Sequence, residues 1–224
     1  MTGASLSAQT SRQSPNFDRV ARVYRWAEYL ALGTLLRRTR EQFLPELAGT
    51  QQALVLGDGD GRFAAALLRR APDCHLHAVD SSAAMLALLG KRCGRDQTGP
   101  RLTLEQASVL DVHASTGCDL IATHFLLDCL TQAEVELLAR RLAAQVKPPC
   151  RWVISEFGRP RGRLLGVLGA AYVRLLYASF RMLTGLRVKH LPDPQKALQN
   201  AGFLRLQRVE RLGGLLYSEL WTAP

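Results

Sequence analysis

Three glycines alternate with two aspartates in Gly57-Asp58-Gly59-Asp60-Gly61. Without Cβ atoms such a loop turns tightly and lets a ligand come close to the main chain. Asp80 stands about 20 residues further on, where a carboxylate can accept hydrogen bonds from a ribose diol. The pair suits a nucleoside-bearing cofactor, and charge decides which one. Pyrophosphates and ATP want a loop free of negative side chains, whereas Asp58 and Asp60 repel phosphate. Position 62 is arginine where the dinucleotide motif GxGxxG has its third glycine, and no GxxxxGK[ST] phosphate loop occurs. S-adenosylmethionine (SAM), which carries a sulfonium and an ammonium, is the cofactor compatible with acidic side chains beside a glycine loop.

Methyl transfer from such a donor is an in-line displacement, so a protein mainly supplies alignment and, for a weak nucleophile, a general base. Thr123 and His124 close one apolar run and Glu156 another, and ligands of open α/β sheets bind at such strand ends. His124, with an ordinary pKa near 6.5, and Glu156, if burial raises its pKa, are the candidate proton acceptors. The alternatives are a packing role for His124 and an ion pair with Arg159 for Glu156. Asp128, one turn beyond His124, reads as a helix N-cap or an orienting partner. Tyr24 and Trp26 suit an aromatic lid over the sulfonium or a place in the core. His75 and His77 share a strand face, but no third ligand follows at zinc spacing, so no metal is expected.

These residues need a scaffold, and the hydrophobic periods supply one. Asn16 to Leu44 repeats apolar residues at helical spacing. Gln52–Leu56 reads as a strand, Arg62–Arg70 as a helix, His75–Val79 as a strand ending at Asp80, and Ser82–Arg92 as a helix. Leu102–Gln106 and Cys118–Thr123 are further strands. Helix Gln132–Val146 is stopped by Lys147-Pro148-Pro149, and strand Arg151–Ser155 ends at Glu156. Alternating strands and helices imply right-handed crossovers and a mostly parallel sheet covered on both faces. Arg161–Leu186 is a long basic and apolar helical stretch, Pro192–Ala201 a short helix, and Phe203–Arg211 with Leu215–Trp221 an antiparallel hairpin at a sheet edge. The expected organisation is a disordered leader over 1–15, an N-terminal helical cap over 16–50, and a SAM-binding domain over 51–224 with a helical insertion at about 161–189.

With 224 residues, 47% of them hydrophobic and 21% charged, the chain suits one globular domain and excludes a fibrous or wholly disordered protein. No apolar run approaches the ~20 residues of a membrane span. The N-terminus lacks a signal or transit pattern, and five scattered cysteines without a CxxC pair suit reduced thiols, so a cytoplasmic location is expected. The net charge of +10 comes from arginine and permits nucleic acid, anionic membrane or acidic-substrate partners. Nucleic acid is disfavoured, because no RNA-binding module is attached and Thr123-His124-Phe125-Leu126 replaces the Asn/Asp-Pro-Pro-Tyr/Phe sequence that clamps a base. Between Arg161 and Lys189 the apolar residues Leu164, Leu165, Leu168, Tyr172, Leu175 and Leu176 fall near one face bordered by Arg163, Arg174 and Arg181. That arrangement suits a lipophilic acceptor or peripheral contact with an anionic membrane.

Val55-Leu56-Gly57-Asp58-Gly59-Asp60-Gly61-Arg62-Phe63 resembles motif I of the class I SAM-dependent methyltransferases. Ala78-Val79-Asp80-Ser81-Ser82-Ala83-Ala84-Met85-Leu86 resembles their second-strand signature, and Asp119-Leu120-Ile121-Ala122-Thr123-His124 their motif IV. Phe17-Asp18-Arg19-Val20-Ala21, with Tyr24 after it, is similar to the start of the quinone-biosynthesis C-methyltransferase branch. The resemblance covers residues 16 to 222 and implies a Rossmann-like α/β fold. Its sheet would have seven strands in the order 3-2-1-4-5-7-6, strand 7 antiparallel, with helices on both faces and an N-terminal helical lid. It implies that Gly57, Gly59 and Gly61, with Asp58 and Asp60, line the amino-acid part of SAM and that Asp80 holds the ribose. Ser81 and Met85 would flank the adenine, Ser108 and Thr123 would complete the cofactor site, and Tyr24, His124 and Asp128 would face the acceptor. Two positions depart from the pattern: Val55 stands where an acid is common before the first glycine, and Ala107 or Ser108 where one follows strand 3. Asp58 or Asp60 can take the first role, and Ser108 can donate to the adenine edge. The function expected is SAM-dependent methyl transfer to a small or lipophilic organic acceptor (EC 2.1.1.-). The alternatives are a SAM-binding scaffold without catalysis and an RNA methyltransferase.

Overall fold

Each apolar run with a period of two becomes a strand, and the glycine and proline punctuation becomes the turns between them. The computed structural model describes residues 33–94, 99–158 and 192–224. Its strands are β1 (Gln52–Leu56), β2 (His75–Asp80), β3 (Leu102–Gln106), β4 (Leu120–His124), β5 (Arg151–Phe157), β6 (Leu204–Arg211) and β7 (Leu216–Thr222). They form one sheet in the order β3-β2-β1-β4-β5-β7-β6. The strands β1 to β5 pair in parallel, and β7 lies antiparallel between β5 and β6. This is the Rossmann-like methyltransferase sheet that the resemblance implied.

The helices are α1 (Gly33–Arg40), α2 (Arg62–Arg70), α3 (Ala83–Cys93), α4 (Gln132–Ala143) and α5 (Pro194–Asn200). Successive strand residues point to opposite faces. Ala53 and Val55 therefore pack with Phe63, Leu67 and Leu89 of α2 and α3, while Leu54 and Leu56 pack with Val135, Leu138 and Leu142 of α4 and Leu198 of α5. Local signals set the helix starts. Ser82 caps α3 by accepting from Met85 N, and Thr131 caps α4 in a reciprocal capping box with Glu134.

Several boundaries differ from the sequence reading. Helix α1 ends at Arg40 rather than Leu44, because the chain turns and Pro45 opens a 3₁₀ turn, Leu44–Leu47. Helix α4 stops at Ala143, short of Val146. Strand β4 begins at Leu120, not Cys118: the Asp119 carboxylate accepts from Gln51 and Gln52 N–H at 2.8 and 3.0 Å, which fixes the chain just ahead of the strand. Strand β5 runs on to Phe157. His124 and Glu156, expected just past the strand ends, thus lie within the strands. The leader over 1–15, most of the 16–50 cap, the 161–189 stretch, and Tyr24, Trp26 and Arg159 lie outside the described residues.

The end of α1 is seated on a polar row. His124, Ser155 and Ser218 stand side by side across β4, β5 and β7. The hydroxyls of Ser155 and Ser218 both reach the carbonyl of Thr39, which fixes Arg40 over this part of the sheet.

Candidate functional site

The β1–α2 loop is turned entirely by glycine. Gly57, Gly59 and Gly61 have φ of 61°, 59° and 80°, the left-handed region that other residues occupy at a cost. Gly57 N–H donates to Val79 O at 2.9 Å, so the loop starts beside Asp80 at the end of β2. A Cβ on Gly57 would lie 2.6 Å from Leu126 Cδ1, and one on Gly61 2.8 Å from Leu89 Cα. A Cβ on Gly59 would meet nothing within 4 Å. Two of the glycines are therefore needed for close packing, and the third leaves main chain facing open space.

The two loop aspartates, read from sequence as equivalent, are held differently. Asp60 accepts from Arg92 Nη2 at 2.6 Å and from Arg62 Nε at 3.2 Å, so guanidinium groups answer its charge. Asp58 is buried beneath the loop. Its Oδ2 accepts from Ala64 N at 2.9 Å, capping α2 in place of Gly61, which has no side chain to do so. Its Oδ1 has no partner, and burial pushes its pKa up to about 7. Asp80 Oδ1 accepts from Ser82 N at 2.9 Å. Ser81 is half-buried beside Gln106, whose side-chain amide donates to Ser81 O, and Met85 is buried in the first turn of α3. Ser108 is exposed, its hydroxyl accepting from Leu110 N at 3.3 Å. Loop, Asp80, Ser81 and Met85 thus gather at the carboxyl ends of β1 and β2. They fit SAM: open main chain at Gly59 for close approach, a carboxylate at the end of β2, and an acceptor oxygen on Asp58 that no donor among the described residues fills.

The ends of β4 and β5 form a second corner. His124 is buried with its ring 4.3 Å from that of Phe63, and neither ring nitrogen has a hydrogen-bond partner among the described residues. Burial first, and then the Arg40 guanidinium, holds its pKa well below the usual value, so the imidazole is neutral. Arg40 is itself buried and lies 5.0 Å over the ring of Phe125. Phe125 has φ of +56° without being glycine, and its N–H donates to Ser155 O at 2.7 Å.

Glu156 is not on the face of His124. His124 pairs with Ser155, so the next residue along β5 turns to the α4 side. There Glu156 Oε1 accepts from Leu126 N at 3.2 Å and Leu127 N at 2.8 Å, while Oε2 has no partner. Burial, and then Asp128, raises the Glu156 pKa well above the carboxylate range. Of the two roles expected of Asp128, helix N-cap or orienting partner, it does not take the first: Thr131 caps α4, and Asp128 sits buried in a 3₁₀ turn, Leu127–Cys129. Thr123 also faces the α4 layer, where its hydroxyl accepts from Trp152 Nε1 at 3.0 Å. The structure therefore does not bring Thr123 to the glycine loop's side.

Sequence reasoning missed Arg40, Phe63, Phe125 and Leu126. Arg40 had a faint signal, since it shares a helix face with Leu36 four residues before it. Phe125 had none, because left-handed turns are sought at glycine or asparagine.

Residues 53–149 match a family described as a methyltransferase domain. Compared by sequence with curated proteins, the chain finds no match. Among solved structures it is similar to an O-methyltransferase family protein from Burkholderia thailandensis, with 17% identity, 92% of this chain and 60% of that chain covered, and a TM-score of 0.69. It is similar to human N-acetylserotonin methyltransferase in complex with SAM, with 16% identity, coverage of 92% and 55%, and a TM-score of 0.63. It is also similar to N,N-8-amino-8-demethyl-D-riboflavin dimethyltransferase from Streptomyces davawensis, with 19% identity, coverage of 95% and 63%, and a TM-score of 0.65. The chain spans less than two thirds of the length of each. Residues 53–149 are therefore similar to a methyltransferase domain, and the likenesses to the solved structures show the fold.

Proposed function

We propose, taking a methyltransferase domain with SAM as its cofactor as the premise, that the chain methylates a small organic acceptor and releases S-adenosylhomocysteine (SAH). The observation that carries this is Gly59, left-handed and facing open space between the end of β1 and Asp80. Bound SAM supplies an electrophilic methyl group. The main chain of Gly57, Gly59 and Gly61 would hold its amino-acid part, with Asp58 Oδ1 beneath. Asp60, already paired with two arginines, would fix the loop instead. Asp80 would take the ribose, and Ser81, Met85 and Ser108 the adenine.

For the acceptor we assign His124. Its neutral imidazole offers a lone pair that no donor among the described residues occupies, which suits taking a proton as the methyl arrives. Asp128 lies instead with Glu156, whose pKa it raises, on the α4 side. Two of the similar structures are named for small molecules, N-acetylserotonin and 8-amino-8-demethyl-D-riboflavin, which supports a small acceptor. A lipophilic one is the finer reading, supported by the apolar wall of Leu36, Phe125, Phe157 and Leu215 beside the β5 end. The likeness to the quinone-biosynthesis branch and the basic stretch 161–189 fall outside the described residues, and with them the lid at Tyr24 and contact with an anionic membrane. Among the described residues no helix is long and apolar enough to cross a membrane.

SAH formation from SAM in the presence of a panel of phenols, quinols and amines tests the proposal. Turnover with one class is expected, and His124→Ala should lower kcat by about 100-fold while SAM affinity stays within twofold. SAM binding without turnover on any acceptor would favour the non-catalytic scaffold.

A further inference from the structure

Glu156 occupies the place of a base but has the contacts of a brace. Its Oε1 collects the N–H groups of Leu126 and Leu127, the first two residues after Phe125. Phe125 sits at φ +56°, a conformation that crowds the Cβ of any residue but glycine and persists only where its surroundings impose it. Phe125 N–H to Ser155 O and the two bonds to Glu156 are what impose it here. The turn so formed carries the Leu126 side chain onto the glycine loop, where its Cδ1 lies within 2.6 Å of the place a Gly57 Cβ would take. A continuous chain of contact therefore runs from β5, through the turn after β4, to the first glycine of the cofactor loop.

We propose that Glu156 is a positioning residue for the methyl donor: its carboxyl sets the turn that presses Leu126 against Gly57 and so fixes the loop's shape. This rests on the reading that the glycine loop holds SAM. It requires reach rather than charge from Glu156, since the work is accepting two backbone N–H bonds. Asp128 and Cys129 on the following turn and Tyr217 of β7 surround the same carboxyl and bring no cation to it.

Reach and charge separate experimentally. Glu156→Asp keeps a carboxyl and withdraws its oxygens by one methylene; Glu156→Gln cannot ionise and keeps an oxygen at full reach. Calorimetry with SAH as the probe should find Glu156→Asp weakened about tenfold and Glu156→Gln recovering at least fivefold of that loss. Leu126→Ala should weaken SAH to a similar degree, and the double variant Glu156→Asp/Leu126→Ala should be no weaker than the poorer single one, because both break one path. Glu156→Gln as weak as Glu156→Asp, or losses that multiply in the double variant, would overturn the proposal while leaving the cofactor reading intact. A wild-type protein that binds neither SAM nor SAH would overturn the cofactor reading itself, and this proposal with it.

Discussion

The carboxyl ends of β1 and β2 and those of β4 and β5 are corners of one sheet, yet they are turned by different means. At the first, glycines supply every left-handed residue, and the Asp60, Asp80 and Ser82 side chains find partners within the corner itself. At the second, Phe125 takes the left-handed conformation and is held by Glu156, which lies about 30 residues away along the chain. Here His124 and Glu156 bury polar atoms that no donor or acceptor among the described residues meets. Buried polar groups normally find partners, so such atoms mark where a ligand or a proton is to be accommodated. The comparison separates a corner whose polar side chains are mostly paired from one that leaves buried polar atoms open, with Asp58 the exception on the first side among the described residues.

The comparison breaks first if the glycine corner tolerates side chains. Gly61→Ala sets a Cβ 2.6 Å from Leu89 Cγ and 2.8 Å from its Cα at φ +80°, so a loss of roughly 4 kcal/mol is expected. Thermal unfolding should show a drop of about 10 °C or more. A drop of only a degree or two would mean that Gly61 is not locked against α3.

A smaller effect of opposite sign is expected at Asp58. Its carboxyl titrates near pH 4 in the unfolded chain and at about 7 in the folded one. The folded state therefore holds the extra proton between those values, and stability falls as pH rises from about 4 to 7 and is flat above. Asp58→Asn removes that cost while its amide oxygen can still accept from Ala64 N. The variant should be more stable than the wild type at pH 8 by roughly 2 to 4 kcal/mol, with the gain vanishing near pH 4. A gain independent of pH would show that burial of the charge is not its source.

At Asp60, in the same loop, the change should be least. Its arginine partners are partly exposed, so Asp60→Asn is expected to cost under about 1 kcal/mol at any pH from 6 to 8. A larger loss in chemical denaturation would place Asp60 with Asp58.

The same contrast explains what could be read from the sequence. The strands, the glycine loop and Asp80 were legible because their signals are local, an apolar run, glycines at 57, 59 and 61, a carboxylate closing the next strand, whereas the order of the strands came only from the resemblance. The different fates of Asp58 and Asp60 were not, since the partners that separate them are Ala64 on one side and Arg92 on the other. Glu156 looked like a base because a carboxylate at a strand end is all that a sequence shows; that Leu126 and Leu127 donate to it depends on the register of β4 against β5. Asp128 was misplaced for a related reason, because Thr131 and Glu134 form a better cap three residues later.

Isothermal titration of SAM into the wild type and into Gly59→Asn tests the central claim most directly. Asparagine accepts a left-handed backbone, and space is open in front of Gly59, so the variant should keep the wild-type unfolding temperature within about 2 °C. The account predicts that the wild type binds SAM and that Gly59→Asn loses at least tenfold in affinity, since the new side chain fills the space where the cofactor meets the main chain. A wild type that binds NADH but not SAM, or a folded Gly59→Asn that binds SAM as tightly as the wild type, would contradict it.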